Sequence, residues 1–160
     1  MKNLQLSEHF TLSEFTRSAT AKRLHIDNTP SEEDIQNIKT LCTEVLEPLR
    51  CHVCQPIIIS SGYRCPKLNK AVGGVYNSQH TNGQAADIAA PTVDSKGKRL
   101  SPALSLSLLR EWMRWAIDNL SFDQCIMEHS KQKNGTVTHW MHISFSKGQN
   151  RQCVISNLWK

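Results

Sequence analysis

Residues 78–88 read Ser78-Gln79-His80-Thr81-Asn82-Gly83-Gln84-Ala85-Ala86-Asp87-Ile88 and place a histidine and an aspartate close together in the chain. Imidazole nitrogen and carboxylate oxygen are both good zinc ligands. Asp87 lies within the apolar run 85–90, where a carboxylate is costly unless a cation or hydrogen-bond donors satisfy it. An isolated pair of this kind is more often a loop histidine followed by a strand. His80 and Asp87 therefore become candidate metal ligands only through the rest of the chain.

A candidate third ligand lies far downstream, in Thr138-His139-Trp140-Met141-His142-Ile143-Ser144-Phe145. The alternation of this segment and its aromatic and branched residues predict a strand. With a period of two, His142 shares a face with Trp140 and Ser144, whereas His139 lies on the other face. Only one of the two histidines can point into a site if the strand is regular. Two histidines and one carboxylate, with a fourth position left to water, are a common catalytic zinc arrangement.

A series of separated motifs runs through residues 10–145, in the order Ser61-Gly62-Tyr63-Arg64, Asn69, Val72-Gly73-Gly74, Ser78-Gln79-His80, Gly83, Ala85-Ala86-Asp87-Ile88, Glu128 and Trp140-Met141-His142-Ile143-Ser144. Together they resemble the zinc D-alanyl-D-alanine carboxypeptidase family. The members of this family are peptidoglycan peptidases that share a fold with the hedgehog signalling domain. The resemblance implies one zinc ion per chain, held by His80, Asp87 and His142.

Length, composition and charge describe one ordinary domain, and we interpret residues 1–160 as a single zinc peptidase domain. The apolar fraction of 39% and the charged fraction of 21% are typical of soluble globular proteins. The formal charge of +5 comes from scattered lysines and arginines, which indicates a basic enzyme surface rather than a nucleic-acid site. No stretch approaches the length of a membrane span. We therefore expect a monomer with neither a nucleic-acid nor a membrane partner.

Six cysteines are present, at positions 42, 51, 54, 65, 125 and 153. Residues 1–10 lack the apolar run of a signal peptide, so we expect synthesis in the cytoplasm and free thiols rather than disulfides. Cys51-His52-Val53-Cys54 has the spacing of some metal and redox motifs, but no second pair follows at zinc-ribbon spacing. The sequence therefore assigns no role to these thiols.

Helix and strand signals predict an α+β fold rather than repeated βαβ units. Capping residues start a short helix at Thr11, a long amphipathic helix at Thr29-Pro30-Ser31-Glu32 that ends near Leu49, and a third helix at Ser101-Pro102. Loops are expected at 21–28 and 66–79. Strands are expected at 57–61, 85–90, 122–128 and 137–145, with Val154-Ile155 as a candidate edge strand. The expected architecture is a small antiparallel sheet with helices on one face, and the resemblance implies a hedgehog/DD-peptidase-like fold.

Two residues compete for the role of general base, Glu128 and His139. Zinc lowers the pKa of its bound water to about 7, so either a carboxylate or an imidazole suffices. A two-residue turn at Asn134-Gly135 would turn Glu128 away from His142, whereas a three-residue loop with a left-handed glycine would place Glu128 opposite His142. His139 stands where some relatives of the family carry a glutamate. It is either a second acid or base, an oxyanion-stabilising donor, or a solvent-facing histidine.

Arg64 and Ser78 complete the set of candidate site residues. Arg64 follows a strand and a glycine, where a side chain can be delivered into a cleft. A guanidinium there can clamp a substrate carboxylate or steady a developing oxyanion, and the resemblance favours this role over that of a surface arginine. Ser78 is expected to hold the His80 loop or a ligand.

The combined expectation is a zinc-dependent peptidase that hydrolyses an amide bond of the peptidoglycan stem peptide. Two bonds stay open, namely the D-Ala-D-Ala bond of a carboxypeptidase and the L-Ala-D-Glu bond of an endopeptidase. Without an export signal, one consistent account is a phage or prophage endolysin that reaches the cell wall after release. A non-catalytic zinc-containing binding module of the same fold and a structural metalloprotein are the alternatives. Glu128 argues against both, because neither needs a base.

Overall fold

The centre of the protein is a five-stranded sheet, seen in a computed structural model that describes residues 3–156. Its strands are β1 (Ile59–Ser61), β2 (Ala85–Ala89), β3 (Gln124–Lys131), β4 (Val137–Ser144) and β5 (Cys153–Ile155), in the spatial order β1-β2-β4-β3-β5. The first four pair antiparallel, whereas β5 pairs parallel with β3 at the sheet edge. The α+β class is confirmed, and the candidate edge strand at 154–155 is present.

Short and long helices surround this sheet. They are α1 (Leu12–Thr16), α2 (Ala19–Arg23), α3 (Glu32–Leu41), α4 (Glu47–Val53), α5 (Pro66–Ala71) and α6 (Pro102–Asn119). A π-helical segment, Cys42–Leu46, joins α3 to α4, and a 3-10 turn covers Gln79–Asn82. Among the helices of residues 3–156, none is both long enough and apolar enough to span a membrane.

Side-chain caps explain where the first helices begin. The Glu14 carboxylate accepts hydrogen bonds from the Thr11 backbone N–H at 2.7 Å and from its hydroxyl at 2.9 Å, as the capping signal predicts. The cap of α3 is Ser31 rather than Thr29. The Asp34 carboxylate accepts from the Ser31 N–H at 3.0 Å, and the Ser31 hydroxyl accepts from the Asp34 N–H at 3.2 Å. The reciprocal pair satisfies two N–H groups that the helix itself leaves free.

The predicted amphipathic helix is a continuous helical run over residues 32–53, in three segments. Its π-helical segment ends shortly before Pro48, which lacks an N–H and whose ring clashes with the preceding turn of a regular α-helix. A wider turn relieves that clash. The helix ends before Cys54, whose φ of 52° is left-handed, and so it continues beyond the predicted end at Leu49.

Two predicted loops contain helices. The expected loop at 21–28 overlaps α2, which Ser18 caps by accepting a hydrogen bond from the Ala21 N–H at 3.2 Å. The expected loop at 66–79 begins with α5, where Pro66 occupies the first turn and its missing N–H costs nothing. Both helices are shorter than two turns, so they show no apolar periodicity by which to recognise them.

The hydrophobic core lies between one face of the sheet and the longer helices. The sheet contributes Ile88, Cys125, Met127, Met141 and Ile143, and the helices contribute Ile38, Leu41, Leu46, Leu49, Leu109 and Met113, all buried. Because side chains alternate along a strand, the intervening residues of β2, β3 and β4 face away from this core. The candidate site lies on that second face.

Candidate metal centre

The register of β2 and β4 brings two predicted ligands together. Asp87 pairs directly with His142, and residues paired across antiparallel strands project from the same face, with Cβ atoms about 5 Å apart. Both residues are buried. The strand thus presents His142 to the carboxylate, as the strand-face prediction required.

A tight turn delivers the third predicted ligand, His80. The 3-10 turn Gln79–Asn82 carries His80 and ends at Gly83, whose φ of 66° is left-handed. A Cβ at Gly83 would also lie 2.5 Å from the backbone oxygen of Asp34, so glycine is required for two independent reasons. The chain then enters β2, and the side chains of His80 and Asp87 converge.

The three candidate ligand atoms surround a common centre. Nε2 of His80 lies 3.2 Å from Oδ1 of Asp87 and 3.2 Å from Nδ1 of His142, and the last two atoms are 2.9 Å apart. In a tetrahedral zinc site with bonds of 2.0–2.1 Å, neighbouring ligand atoms lie about 3.3 Å apart. The donor types and their separations therefore fit a zinc ion held by His80, Asp87 and His142, with one position left for water. These three residues are called the metal cluster below.

A backbone carbonyl on the side away from the other two ligands fixes the orientation of the His80 ring. Its Nδ1 lies 2.6 Å from the carbonyl oxygen of Gly62. Since a carbonyl only accepts, Nδ1 donates this hydrogen bond, and Nε2 keeps its lone pair for the centre. Zinc-binding histidines usually donate their second ring N–H in this way, which fixes both the tautomer and the ring orientation.

The electrostatics of Asp87 favour an ionised ligand. Burial raises the pKa of its carboxyl, but the imidazoles of His142 and His80 beside it outweigh burial and bring the pKa well below its usual range. A carboxylate that stays ionised is available to a cation at any physiological pH.

Glu128 lies on the same face of the sheet as His142, although in a register that the sequence did not predict. Glu128 pairs with Trp140 and Ile126 pairs with His142, so neither of the two registers left open by the sequence, with Glu128 turned away from His142 or directly opposite it, is observed. Beyond the strand pair of Lys131 with Val137, the Gln132 N–H donates to the Thr136 carbonyl at 2.8 Å, and Gly135 is left-handed with a φ of 85°. The hairpin therefore closes with a three-residue loop and a left-handed glycine, which is one of the two predicted turns, although in a different register. Glu128 is then diagonal to His142, a separation that a long side chain spans.

Trp140 holds the Glu128 carboxylate in place. Its indole Nε1 donates a hydrogen bond of 2.6 Å to Oε2 of Glu128, which leaves Oε1 without this partner. The cross-strand pairing that joins these two residues depends on the register, which the sequence left open.

Arg64 reaches the site from the end of β1. Its backbone N–H donates to the His80 carbonyl at 3.1 Å, and its side chain lines the cavity that also contains Asp87 and Glu128. Burial lowers the pKa of Arg64, while the carboxylates of Asp87 and Glu128 act in the opposite direction, and a guanidinium stays charged throughout. Its buried Nε has no hydrogen-bond partner among the described residues. The site therefore holds a cation with unused donor capacity.

Ser78 lies at the wall of the same cavity and is buried. Its N–H donates to the Val75 carbonyl at 3.2 Å, and its own carbonyl accepts from the Thr81 hydroxyl at 2.6 Å. These contacts are with its backbone, so they hold the loop before His80 in place. A contact between the Ser78 hydroxyl and substrate stays a prediction.

The structure does not bring His139 to the cluster. β4 is regular, so His139 projects from the face opposite His142, and its ring lies 5.9 Å from that of His129. Burial lowers the pKa of His139, and His129 and Arg110 lower it further. As a second acid or base His139 is therefore misplaced, since the alternation of the strand directs it to the wrong side of the sheet.

A cavity of about 480 Å³ covers the cluster, and one of its lining residues was missed from the sequence. Arg151 follows β4 and precedes β5, and its Nε and Nη2 donate to the two Asp123 carboxylate oxygens at 2.7 Å each. Residues 146–160 carry no recognisable motif. Only the folding of residues 146–156 back along β3 places Arg151 beside the site.

A protein-family model described as Peptidase M15 matches residues 8–104, more than half of the chain. The matched range contains His80 and Asp87 and ends before β3 and β4, which carry Glu128 and His142. No curated protein matches the chain.

Proposed function

The chain belongs to the peptidase M15 family, the zinc D-Ala-D-Ala carboxypeptidase family, and on that premise we propose that it hydrolyses an amide bond of the peptidoglycan stem peptide. Membership supports a zinc-dependent metallopeptidase with a peptidoglycan-type substrate in general. The bond, the residue roles and the place of action are our proposals. The observation that carries them is the convergence of His80, Asp87 and His142 in a cavity that also contains Glu128 and Arg64.

The three converging residues would hold the metal ion. When bound there, zinc supplies Lewis-acid activation of the scissile carbonyl and of the hydrolytic water. His80 keeps its metal-facing nitrogen unprotonated through its bond to Gly62, and Asp87 contributes the negative charge.

Glu128 is our proposed general base. Its Oε1 takes a proton from the attacking water and passes it to the leaving amine, while the Trp140 indole holds Oε2. Because Glu128 lies on the same sheet face as His142 and lines the same cavity, the carboxylate reaches the reacting atoms without a rearrangement of the sheet.

Arg64 is our proposed substrate-orienting cation. Its side chain lines the cavity, its buried Nε has no partner among the described residues, and a guanidinium binds a carboxylate through two parallel hydrogen bonds. Both candidate substrates have a carboxylate beside the scissile bond, so Arg64 serves either a D-Ala-D-Ala carboxypeptidase or an L-Ala-D-Glu endopeptidase.

The direct test is digestion of purified peptidoglycan by the zinc-loaded protein, followed by mass analysis of the fragments. Release of D-alanine identifies a carboxypeptidase, and new L-alanine carboxyl ends with free D-glutamate amino groups identify an endopeptidase. A zinc chelator should abolish either product. Binding to sacculi without any new chain end, by folded and zinc-loaded protein, would support the non-catalytic binding module instead.

A role in lysis is a separate proposal and has its own test. Added to permeabilised cells, an endolysin should lower the turbidity, and the chelator should prevent this. Release of D-alanine from intact sacculi with no loss of turbidity would contradict the lytic role while leaving the peptidase activity in place.

A further inference from the structure

A second cavity, of about 820 Å³, opens from the proposed active site. It shares Arg64, Asp87 and Trp140 with the cavity over the metal cluster. From there it extends along β1 to the segment that joins α1 to α2. Ligand pockets measure roughly 300–1,000 Å³, so this volume accommodates several residues of a peptide.

The far end of this cavity is basic. Arg17 and Lys22 line it, together with the hydroxyl-bearing residues Ser18, Thr20 and Ser60. Among its lining residues Asp87 is the single acidic one, and Asp87 belongs to the metal cluster. Arg17 and Lys22 are exposed, and neither cation has a carboxylate partner in the cavity wall. This end of the cavity therefore favours an anion.

The fold fixes Arg17 relative to Arg64. Phe15 of α1 is fully buried against Gly62, where a Cβ would lie 2.6 Å from the Phe15 Cα. This close approach places Arg17 beside β1, and its Nη2 donates to the Ile59 carbonyl at 3.4 Å. The same strand leads through Gly62 to Arg64. The two arginines thus flank one strand, and both line the same cavity.

We propose that Arg17 and Lys22 form a subsite for a second carboxylate of the stem peptide, distinct from the carboxylate that Arg64 binds. This inference rests on the proposed function, because it takes the peptide as substrate. A stem peptide carries more than one carboxylate, and wall chemistry converts some of them to amides. The subsite would make the enzyme selective for peptides whose second carboxylate is free.

The proximity of the two cavities favours a peptide carboxylate over a phosphate of another wall polymer. The cavity with the basic end shares Arg64, Asp87 and Trp140 with the cavity over the metal cluster, so the anion is best assigned to the molecule whose bond is cut. A charged hydrogen bond contributes more than a neutral one, and its loss on amidation should weaken binding by roughly tenfold.

The test uses three synthetic stem pentapeptides, which are the parent, a form amidated at D-glutamate, and a form amidated at the C-terminus. With the wild-type, zinc-loaded protein, each amidation should raise KM by roughly tenfold. In the Arg17→Ala/Lys22→Ala variant, one of the two amidations should no longer change KM, because the side chains that bind that carboxylate have been removed. Arg17→Lys should restore part of the discrimination.

The matched control is Arg23→Ala. Arg23 is an exposed cation on α2 next to Lys22, and it does not line the cavity. Its removal changes the net charge by the same amount as either single substitution, so it should leave both amidation effects intact. Circular dichroism and thermal unfolding of all variants separate a lost subsite from a lost fold.

Full retention of both amidation effects in the Arg17→Ala/Lys22→Ala variant would overturn the subsite. If the wild type cleaves none of the peptides, the proposed function fails, and fluorescence anisotropy with labelled forms of the same peptides still decides the subsite. If the double variant no longer distinguishes the free from the amidated form of one carboxylate, the subsite is supported. If the wild type binds all three peptides equally, the subsite is contradicted. Stronger competition by a glycerol-phosphate oligomer than by the parent peptide would assign the anion to a phosphate polymer.

Discussion

The metal cluster and the surface around α4 both carry side chains of the kinds that bind zinc, but the two regions position these side chains differently. At the end of α4, Cys51 and Cys54 share a surface cavity with His9 and Glu47. His9 and Glu47 bond to each other, Nδ1 to Oε2 at 2.8 Å, and both thiols are exposed. Within residues 3–156, the group of His80 and its two partners is the one set of three such residues whose ligand atoms lie within 4.8 Å of one another.

The difference teaches that the backbone, rather than residue type, makes a metal centre. In the cluster, a direct strand pair aligns Asp87 with His142, and a tight turn brings in His80. Paired strands are rigid, and burial removes the water that would otherwise satisfy the ligands. Around α4, the donors come from both ends of a short helix and from the separate segment of His9, and they satisfy one another or meet solvent.

The largest expected effect is on metal content. His142→Ala should lower zinc affinity by more than about 100-fold, because removing a ligand costs more than removing a residue that merely orients one. The Cys51→Ser/Cys54→Ser variant should keep one zinc per chain. Elemental analysis after dialysis measures both, and zinc lost from the cysteine variant but kept by His142→Ala would reverse the comparison.

A second expected effect separates two glutamates, one in each region. Glu128→Gln should keep zinc but lower the rate of cleavage by about 10²- to 10⁴-fold, the usual size of a general-base contribution. Glu47→Gln should keep its activity and lower the free energy of unfolding by about 1 kcal/mol, since its carboxylate accepts from Ser7 and His9. Steady-state kinetics and thermal unfolding check the two outcomes.

His139→Ala is the control for the position of the base. Because His139 projects from the other face of β4, its replacement should leave the cleavage rate within about twofold of wild type. An inactive His139→Ala protein beside an active Glu128→Gln protein would move the base to His139, and the strand-face argument would fail.

The smallest expected effect concerns the thiols. Burial raises the pKa of Cys125 to about 12, so at pH 8 only about one molecule in 10⁴ carries its thiolate. Cys51 and Cys54 are exposed and should react first with iodoacetamide, as peptide mapping would show. Added zinc should not protect them. Protection by zinc, or alkylation of Cys125 at the same rate, would contradict the contrast between the regions.

The metal ligands were predicted from the family resemblance, which local signals supported. His80 and Asp87 lie in one motif, and a period of two places His139 and His142 on opposite faces of β4 without deciding which of them faces the site. The register of β3 could not be predicted, since it depends on the length of a polar loop that many turn types can close. That register decides that Glu128 meets Trp140.

The parts of the fold that were missed share another physical origin. α2 and α5 are too short for an apolar stripe, and tertiary contacts rather than helical propensity stabilise them. The parallel pairing of β5 with β3 lies next to the bond between Arg151 and the buried Asp123, and both join residues far apart in the chain. Consequently the convergence of Arg17 and Lys22 on one cavity, and the position of Arg151 beside the cluster, could not be predicted from the sequence.

Gly62 serves two properties of the protein at once, the orientation of a metal ligand and the packing of α1. Its carbonyl orients His80, and the space that its side chain would need is occupied by the backbone of Phe15. A larger residue would displace α1 and turn the imidazole at the same time, so the two losses would be inherited together. A library of substitutions at Gly62 should therefore contain no variant that gains activity at the expense of stability, or stability at the expense of activity. Both properties should fall together at this position.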